Sequence, residues 1–295
     1  MIEKFSIING GEGKYPVKSM CAWLGVNRSS YYDWRSRPVS AAAKKRAERA
    51  QIVRFHFEDS DEVAGSRRIA AAMARAGQPA SRDAVRSIMR ENGWVGQRPR
   101  KRPPVTTVPA EDADQLTDKL QRDFTADAPG LKLVGDITYV PTWEGWVYLA
   151  LVLDCFSKKV VGYAFARHMW TELIVEALAM ANRNGHVRGG VTVFHSDRGS
   201  QYMSTEYKDF CTRLGVTRSV GRTGVCWDNA FAESWNATYK VERVNRMVYP
   251  TCEKAIRDGV RWIELTYNAK RLHSALGYRT PNEVDREGWK TRSAA

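Results

Sequence analysis

Apolar and polar positions give the two halves of the chain different periods. Between residues 16 and 92 apolar residues recur at helical spacing, bounded by glycines and capping residues. Residues 16–34 hold two short helices, one ending at Gly25 and the next starting after Asn27 as N-cap. That pair is either a helix-turn-helix or a helical hairpin packed on its own aromatic residues. Ser40 opens a longer helix over residues 41–57, with Lys and Arg on one side and Ile52, Val53 and Phe57 available for packing. A turn at 59–66 leads to a second two-helix unit. Its first helix covers residues 67–76 and stops at Gly77; its second covers 82–92, with Ser81 as N-cap and Gly93 as stop.

From residue 131 onward, short runs rich in β-branched and aromatic residues predict strands at 131–140, 147–153, 160–165, 191–194 and 216–220. The first three are joined by short connections, including a hairpin turn at 143–146, and should be antiparallel. A helix over 171–182 crosses to the fourth strand, which should therefore run parallel to the first. Further helices are expected at 205–214 and 228–245, the latter with Asp228 as N-cap, and one more within 110–127. The fold class is α/β, a mixed five-stranded sheet flanked by helices and preceded by an all-α region.

Three acids stand out against this frame. Asp136 lies in the middle of a strand, where acids are rare, and Asp197 lies where a strand gives way to the turn at Arg198 and Gly199. Glu233 shares one side of its helix with Asn229, Ala230, Asn236, Ala237 and Lys240, while Phe231, Trp235 and Tyr239 share the other and should pack inward. Three carboxylates held together repel one another and raise their pKa values unless a hard divalent cation joins them. Two such ions about 4 Å apart suit in-line phosphoryl transfer, so the expected chemistry is on a phosphodiester. Asp154 is the best rival acid, but it has an ordinary capping role in the turn 154–157. Asp228 is about 140° away from Glu233 around the helix and should not share its metal. His195 reads as a satisfied structural histidine.

The residues around these acids resemble the insertion-sequence transposases of the second-open-reading-frame type, whose catalytic core is similar to retroviral integrases and RNase H. Asp-Ile-Thr-Tyr surrounds Asp136, His-Ser-Asp-Arg-Gly-Ser-Gln-Tyr surrounds Asp197, and Asp-Asn-Ala-Phe-Ala-Glu-Ser-Trp contains Glu233. Residues 198–232 separate the last two acids, the family's spacing of thirty-five. Residues 267–278, followed by Thr280-Pro281, resemble the family's closing signature, in which the roles of Asn268 and His273 are not derivable. Leu133 departs from the pattern, standing where many relatives carry tryptophan. The resemblance implies an RNase H-like core and a DDE-type transposase that cuts and joins DNA ends with Mg²⁺, with Mn²⁺ able to substitute and two ions expected. It further implies catalytic and metal-binding roles for Asp136, Asp197 and Glu233, and a DNA contact for Lys240. Relatives often act fused to an upstream frame; a homo-multimer on DNA is expected, with element terminal repeats and target DNA as partners.

Charge adds to this picture without deciding it. The 295 residues carry 46 Lys and Arg against 33 Asp and Glu, a net +13, which attracts polyanions. Arg82, Arg86 and Arg90 recur every four residues on one helix and suit phosphates or a major groove; the alternative is a solvated face. Arg98, Arg100, Lys101 and Arg102, before Pro103-Pro104, read as a linker able to track a DNA backbone. The organisation expected is a DNA-binding helical region at 1–105, a linker at 106–123 and the catalytic core with a helical extension at 124–295. Five cysteines without paired spacing indicate neither a disulfide framework nor a zinc site. No signal peptide is evident, and the longest apolar run, 146–153, is too short to span a bilayer, so a cytoplasmic, nucleoid-associated location is expected and no membrane. A DNA-binding regulator, a nuclease that cuts but never joins, and an inactive relic of a mobile element remain alternatives at this point.

Overall fold

The computed structural model describes residues 1–38, 40–98, 116–222 and 226–293. By contact the chain forms two units, Met1–Ile52 and Val53–Ala295. In the first, α1 (Ile2–Gly11), α2 (Val17–Trp23) and α3 (Arg28–Ser36) enclose a small core of Phe5, Ile8, Met20, Cys21 and Tyr31. Gly25 takes φ +60 after α2, and the Asn27 side chain accepts the Ser29 N–H, so α2 ends and α3 starts where the sequence indicates. α1 was not foreseen. Its inward side is only Phe5 and Ile8, too short a pattern to stand out.

Helix α4 (Ala41–Asp59) is opened by the Ser40 hydroxyl, which accepts the Ala43 N–H. α5 (Ser66–Arg75) and α6 (Arg82–Glu91) follow, and Ser81 caps α6 by accepting the Ala84 N–H. By contact, α5 and α6 belong to the larger unit. Ion pairs tie α5 to the rest of that unit: Arg68 to Glu242 at 3.0 Å, and Arg75 to Glu283. No helix forms in the described part of 110–127. Gln121 and Arg122 have positive φ, and the Asp118 carboxylate accepts the N–H groups of Leu120 and Gln121, fixing a turn instead.

The sheet has the order β3-β2-β1-β4-β5. β1 (Lys132–Thr142), β2 (Gly145–Asp154) and β3 (Val160–Ala166) form an antiparallel meander, and Gly145 at φ +115 closes the first hairpin. α7 (Thr171–Arg183) crosses to β4 (Val193–Ser196), which runs parallel to β1; α8 (Ser200–Met203) and α9 (Thr205–Arg213) lead to β5 (Thr217–Val220), parallel to β4. Alternating strand residues feed two cores. Leu133, Ala150, Val152 and Phe194 meet α7 on one face, while Val134, Leu149, Leu151 and Leu153 meet Trp235, Tyr239 and Trp262 on the other. Leu133 is fully buried, so the departure noted at this position still fills core.

After a 3₁₀ turn at Cys226–Asn229, α10 (Ala230–Glu242) lies over the second face, followed by α11 (Cys252–Arg261), a π-helical segment Trp262–Asn268, and α12 (Pro281–Ser293). Asn268 gains its role here. Its amide accepts from the Val160 N–H and donates to the Val160 carbonyl, both at 3.0 Å, which pins the start of the edge strand β3.

Candidate active site

Strand register brings two of the three acids level. Leu133 pairs with Phe194 and Val134 with His195, so continuing two residues along both strands sets Asp136 beside Asp197. The approach is close because residue 135 is glycine: a Cβ there would lie 2.3 Å from Phe194 Cζ and 3.2 Å from the Tyr202 hydroxyl. Helix α10 supplies the third acid. Trp235 and Tyr239 anchor it in the core, and one polar side is left toward β1. From that side Asn236 Nδ2 donates to Asp136 Oδ2 at 2.7 Å, while Glu233, one turn earlier, is exposed.

The electrostatics fit an acidic cluster. Burial, then the charge of Asp197, pushes the Asp136 carboxyl up to about 8, against a hydrogen bond from the Ile137 N–H and the more distant attraction of Lys240. Burial also raises Asp197, whose carboxylate accepts the Gly199 N–H at 3.0 Å. Glu233, although exposed, is raised by partial desolvation of its carboxylate and by the charge of Asp197. Among the described residues none of the three forms a salt bridge, and no three potential ligands are already drawn into a coordination cluster. Asp136 feels the charges of Asp197 and Glu233, and Glu233 feels that of Asp197, so the three lie within electrostatic reach of one another. Their oxygen donors, without thiolate or imidazole, match a hard divalent cation.

The other polar groups have structural jobs. Asp154 is fully buried and accepts from Gly130 N–H, Ser157 N–H and the Ser157 hydroxyl. His195 is buried between the Ser219 hydroxyl at 2.9 Å and the Asp228 carbonyl at 2.8 Å. Asp228 does not cap α10, contrary to expectation. Its buried carboxylate is held by Arg222 and Arg122, which keep it far below the usual carboxylate range, and Asn229 takes the N-cap position without a side-chain bond.

Family models described as integrase core domain match residues 126–226 and 214–281, and one described as HTH-like domain matches 44–102. Over 285 residues the chain is 32% identical to the transposase InsF for insertion sequence IS3A of Escherichia coli (strain K12), an alignment covering 96% of this chain and 98% of that protein. The chain belongs to the IS3-type insertion-sequence transposases. It is also 31% identical to the transposase for insertion sequence element IS629 of Shigella sonnei, over 92% of both chains. Among solved structures, a chain of the simian T-cell lymphotropic virus intasome in complex with PP2A regulatory subunit B56 gamma matches at 15% identity and TM-score 0.45, covering 79% of this chain and 74% of that one.

The transposase is thus a DDE-type polynucleotidyl transferase acting on DNA, with an RNase H-like catalytic fold. Arg82, Arg86 and Arg90 all lie exposed on α6, whose Val85, Ile88 and Met89 are buried; Arg98 is exposed after it. Arg100, Lys101 and Arg102 lie outside the described residues. Lys240 sets its Nζ 4.3 Å from the Tyr139 ring centroid. Two contributors were missed from sequence. Asn236, which holds Asp136, was assigned to the polar side of its helix without a partner. Glu242, buried at the end of α10, accepts two bonds at 2.9 Å from Arg271 and one ion pair from Arg68, ties that join the catalytic helix to the closing signature and to α5. An acid on the apolar side of that helix was the only available signal.

Proposed function

We propose that Asp136, Asp197 and Glu233 are the catalytic and metal-binding carboxylates of the transposase, with two Mg²⁺ ions as the native cofactor and Mn²⁺ as a substitute. The observation that supports this is that Asp136 on β1, Asp197 at the end of β4 and Glu233 on α10 lie within electrostatic reach: desolvation, then the charge of Asp197, raises both Asp136 and Glu233. When bound, the ions activate the attacking oxygen and steady the leaving one. Asn236 fixes the rotamer of Asp136 by donating to one oxygen, leaving Oδ1 to face the Ile137 N–H. The Gly199 N–H similarly orients Asp197.

The reaction proceeds in two displacements on phosphorus. Water attacks the phosphodiester at an element end and frees a 3′-hydroxyl; that oxygen then attacks a target phosphodiester, with a new P–O bond replacing the old one. No covalent protein–DNA intermediate is required. Lys240 holds the backbone beside the scissile phosphate, and residues 1–105, through Arg82, Arg86, Arg90 and Arg98, bind element ends, joined by the linker 106–123 to the core 124–295. Arg100, Lys101 and Arg102 are proposed to follow the backbone. The work is done where the element's DNA lies, in the cytoplasm and on the nucleoid, by a multimer formed on DNA, with an upstream-frame protein or fusion as partner.

The purified chain with labelled DNA from its own element ends tests this. Mg²⁺ should yield new 3′-hydroxyl ends and EDTA none, and Glu233→Gln should abolish cleavage while keeping DNA binding. Cleavage by Glu233→Gln at the wild-type rate would remove Glu233 from the site.

A further inference from the structure

The hairpin that carries Asp136 also presents an aromatic surface with no role in the chemistry above. Tyr139 stands three residues beyond Asp136, about 10 Å along the strand, and is 48% exposed. Trp146, on the paired strand, is 50% exposed and meets it edge-on, with ring centroids 4.9 Å apart. Register explains the contact: Tyr139 pairs with Tyr148 and Pro141 with Trp146, so the two rings are diagonal neighbours. Lys240, from α10, places its ammonium over the Tyr139 ring.

Large rings kept in water beside a site for phosphodiester chemistry call for a ligand with a flat face and a negative charge. A duplex hides the faces of its internal bases, whereas an unpaired nucleotide offers both a face and a phosphate. Asp136 on the same strand disfavours an acidic protein partner, and the ammonium of Lys240 complements a phosphate. We propose that Tyr139, Trp146 and Lys240 form a shelf that receives an unpaired nucleotide beside the scissile phosphate, its base against the rings and its phosphate against the ammonium. This rests on the reading of Asp136, Asp197 and Glu233 as the cutting site. The shelf makes opening of the terminal base pairs part of end recognition.

The test compares binding of the full-length chain, in EDTA, to a blunt duplex and to the same duplex ending in a short unpaired 3′ overhang that contains 2-aminopurine. Wild type should prefer the overhang by about fivefold or more, the scale of stacking one base on an aromatic side chain, and should quench the 2-aminopurine. Tyr139→Leu and Trp146→Leu should lose both effects with blunt-duplex binding unchanged, and Tyr139→Phe and Trp146→Phe should keep them. Equal binding of both DNAs by wild type, or an overhang preference that survives both Leu substitutions, would overturn the proposal. So would a change in oligomeric state in those variants with the preference intact, which would mark the rings as a surface between copies. Binding in EDTA needs no catalysis, so cleavage surviving in Glu233→Gln would sink the active-site reading separately.

Discussion

Asp136→Asn should change how stability depends on pH. In the folded, metal-free chain the Asp136 carboxyl titrates at about 8, whereas in the unfolded chain it should fall near its ordinary 3.8. Between those values the folded state holds a proton that the unfolded state has lost, so stability falls as pH rises and stops falling above pH ~8. Each unit within the window is ~1.4 kcal/mol, giving ~2.7 kcal/mol between pH ~5 and ~7 for a wholly sequestered group. Asp136 is only half-buried, so screening brings the expected difference to about half, ~1.4 kcal/mol. Because Asp197 and Glu233 couple to it, the titration belongs to the cluster as a whole. Urea unfolding in EDTA at a series of pH values would measure it. Wild type should lose that amount relative to Asp136→Asn as pH rises, and Mg²⁺ should stabilise wild type but hardly affect the variant. Parallel pH profiles for the two proteins would refute the argument that burial and mutual repulsion hold the proton.

Three further perturbations follow from particular contacts. Gly135→Ala drives a methyl into the Phe194 ring and should cost ~1–3 kcal/mol and most transposition, with Phe194→Leu restoring part of both; an active, fully stable Ala variant would contradict the close approach of β1 and β4. Glu242→Ala leaves Arg68 and Arg271 facing each other without their shared acid and should lower unfolding free energy by ~3–5 kcal/mol; a urea midpoint shift equivalent to less than ~1 kcal/mol would show that the pairs contribute little. His273 is pushed down to about 3 by burial and by Arg271, Arg68 and Lys158, so the unfolded chain takes up a proton near pH ~6.5 that the folded chain refuses. Stability from this group is complete above that pH and is lost as pH falls toward 3. Relative to His273→Gln, wild type should weaken by ~1 kcal/mol between pH ~6.5 and ~5 after allowance for partial exposure, and an unchanged difference would remove His273 from acid sensitivity.

Features set by residues near one another in sequence were legible. Asn27 and Ser81 cap helices through bonds two and three residues away, and Gly145 turns the hairpin between its own strands. Asp154 carried its structural role in the turn around it. The placement of Asp136 beside Asp197 followed from one crossover and the resulting parallel pairing. What escaped depends on partners distant along the chain. Asp228 resembles a helix cap until Arg122, 106 residues earlier, is brought to it. Glu242 meets Arg271 and Arg68 only after the helical units have packed, and Asn268 meets Val160 only once the π-helical segment lies against the edge strand. In the described part of 110–127 the chain forms aspartate-stabilised turns, because Asp118 and Asp123 bond the N–H groups just after them.

The central claim is that the three acids of one site carry out transposition. A plasmid bearing the gene with its flanking DNA, amplified outward across the element, tests it most directly. Wild type should yield a junction of joined ends, and Asp136→Asn, Asp197→Asn and Glu233→Gln, expressed to the same level, should yield none. Junctions from any of the three at the wild-type frequency would contradict the account.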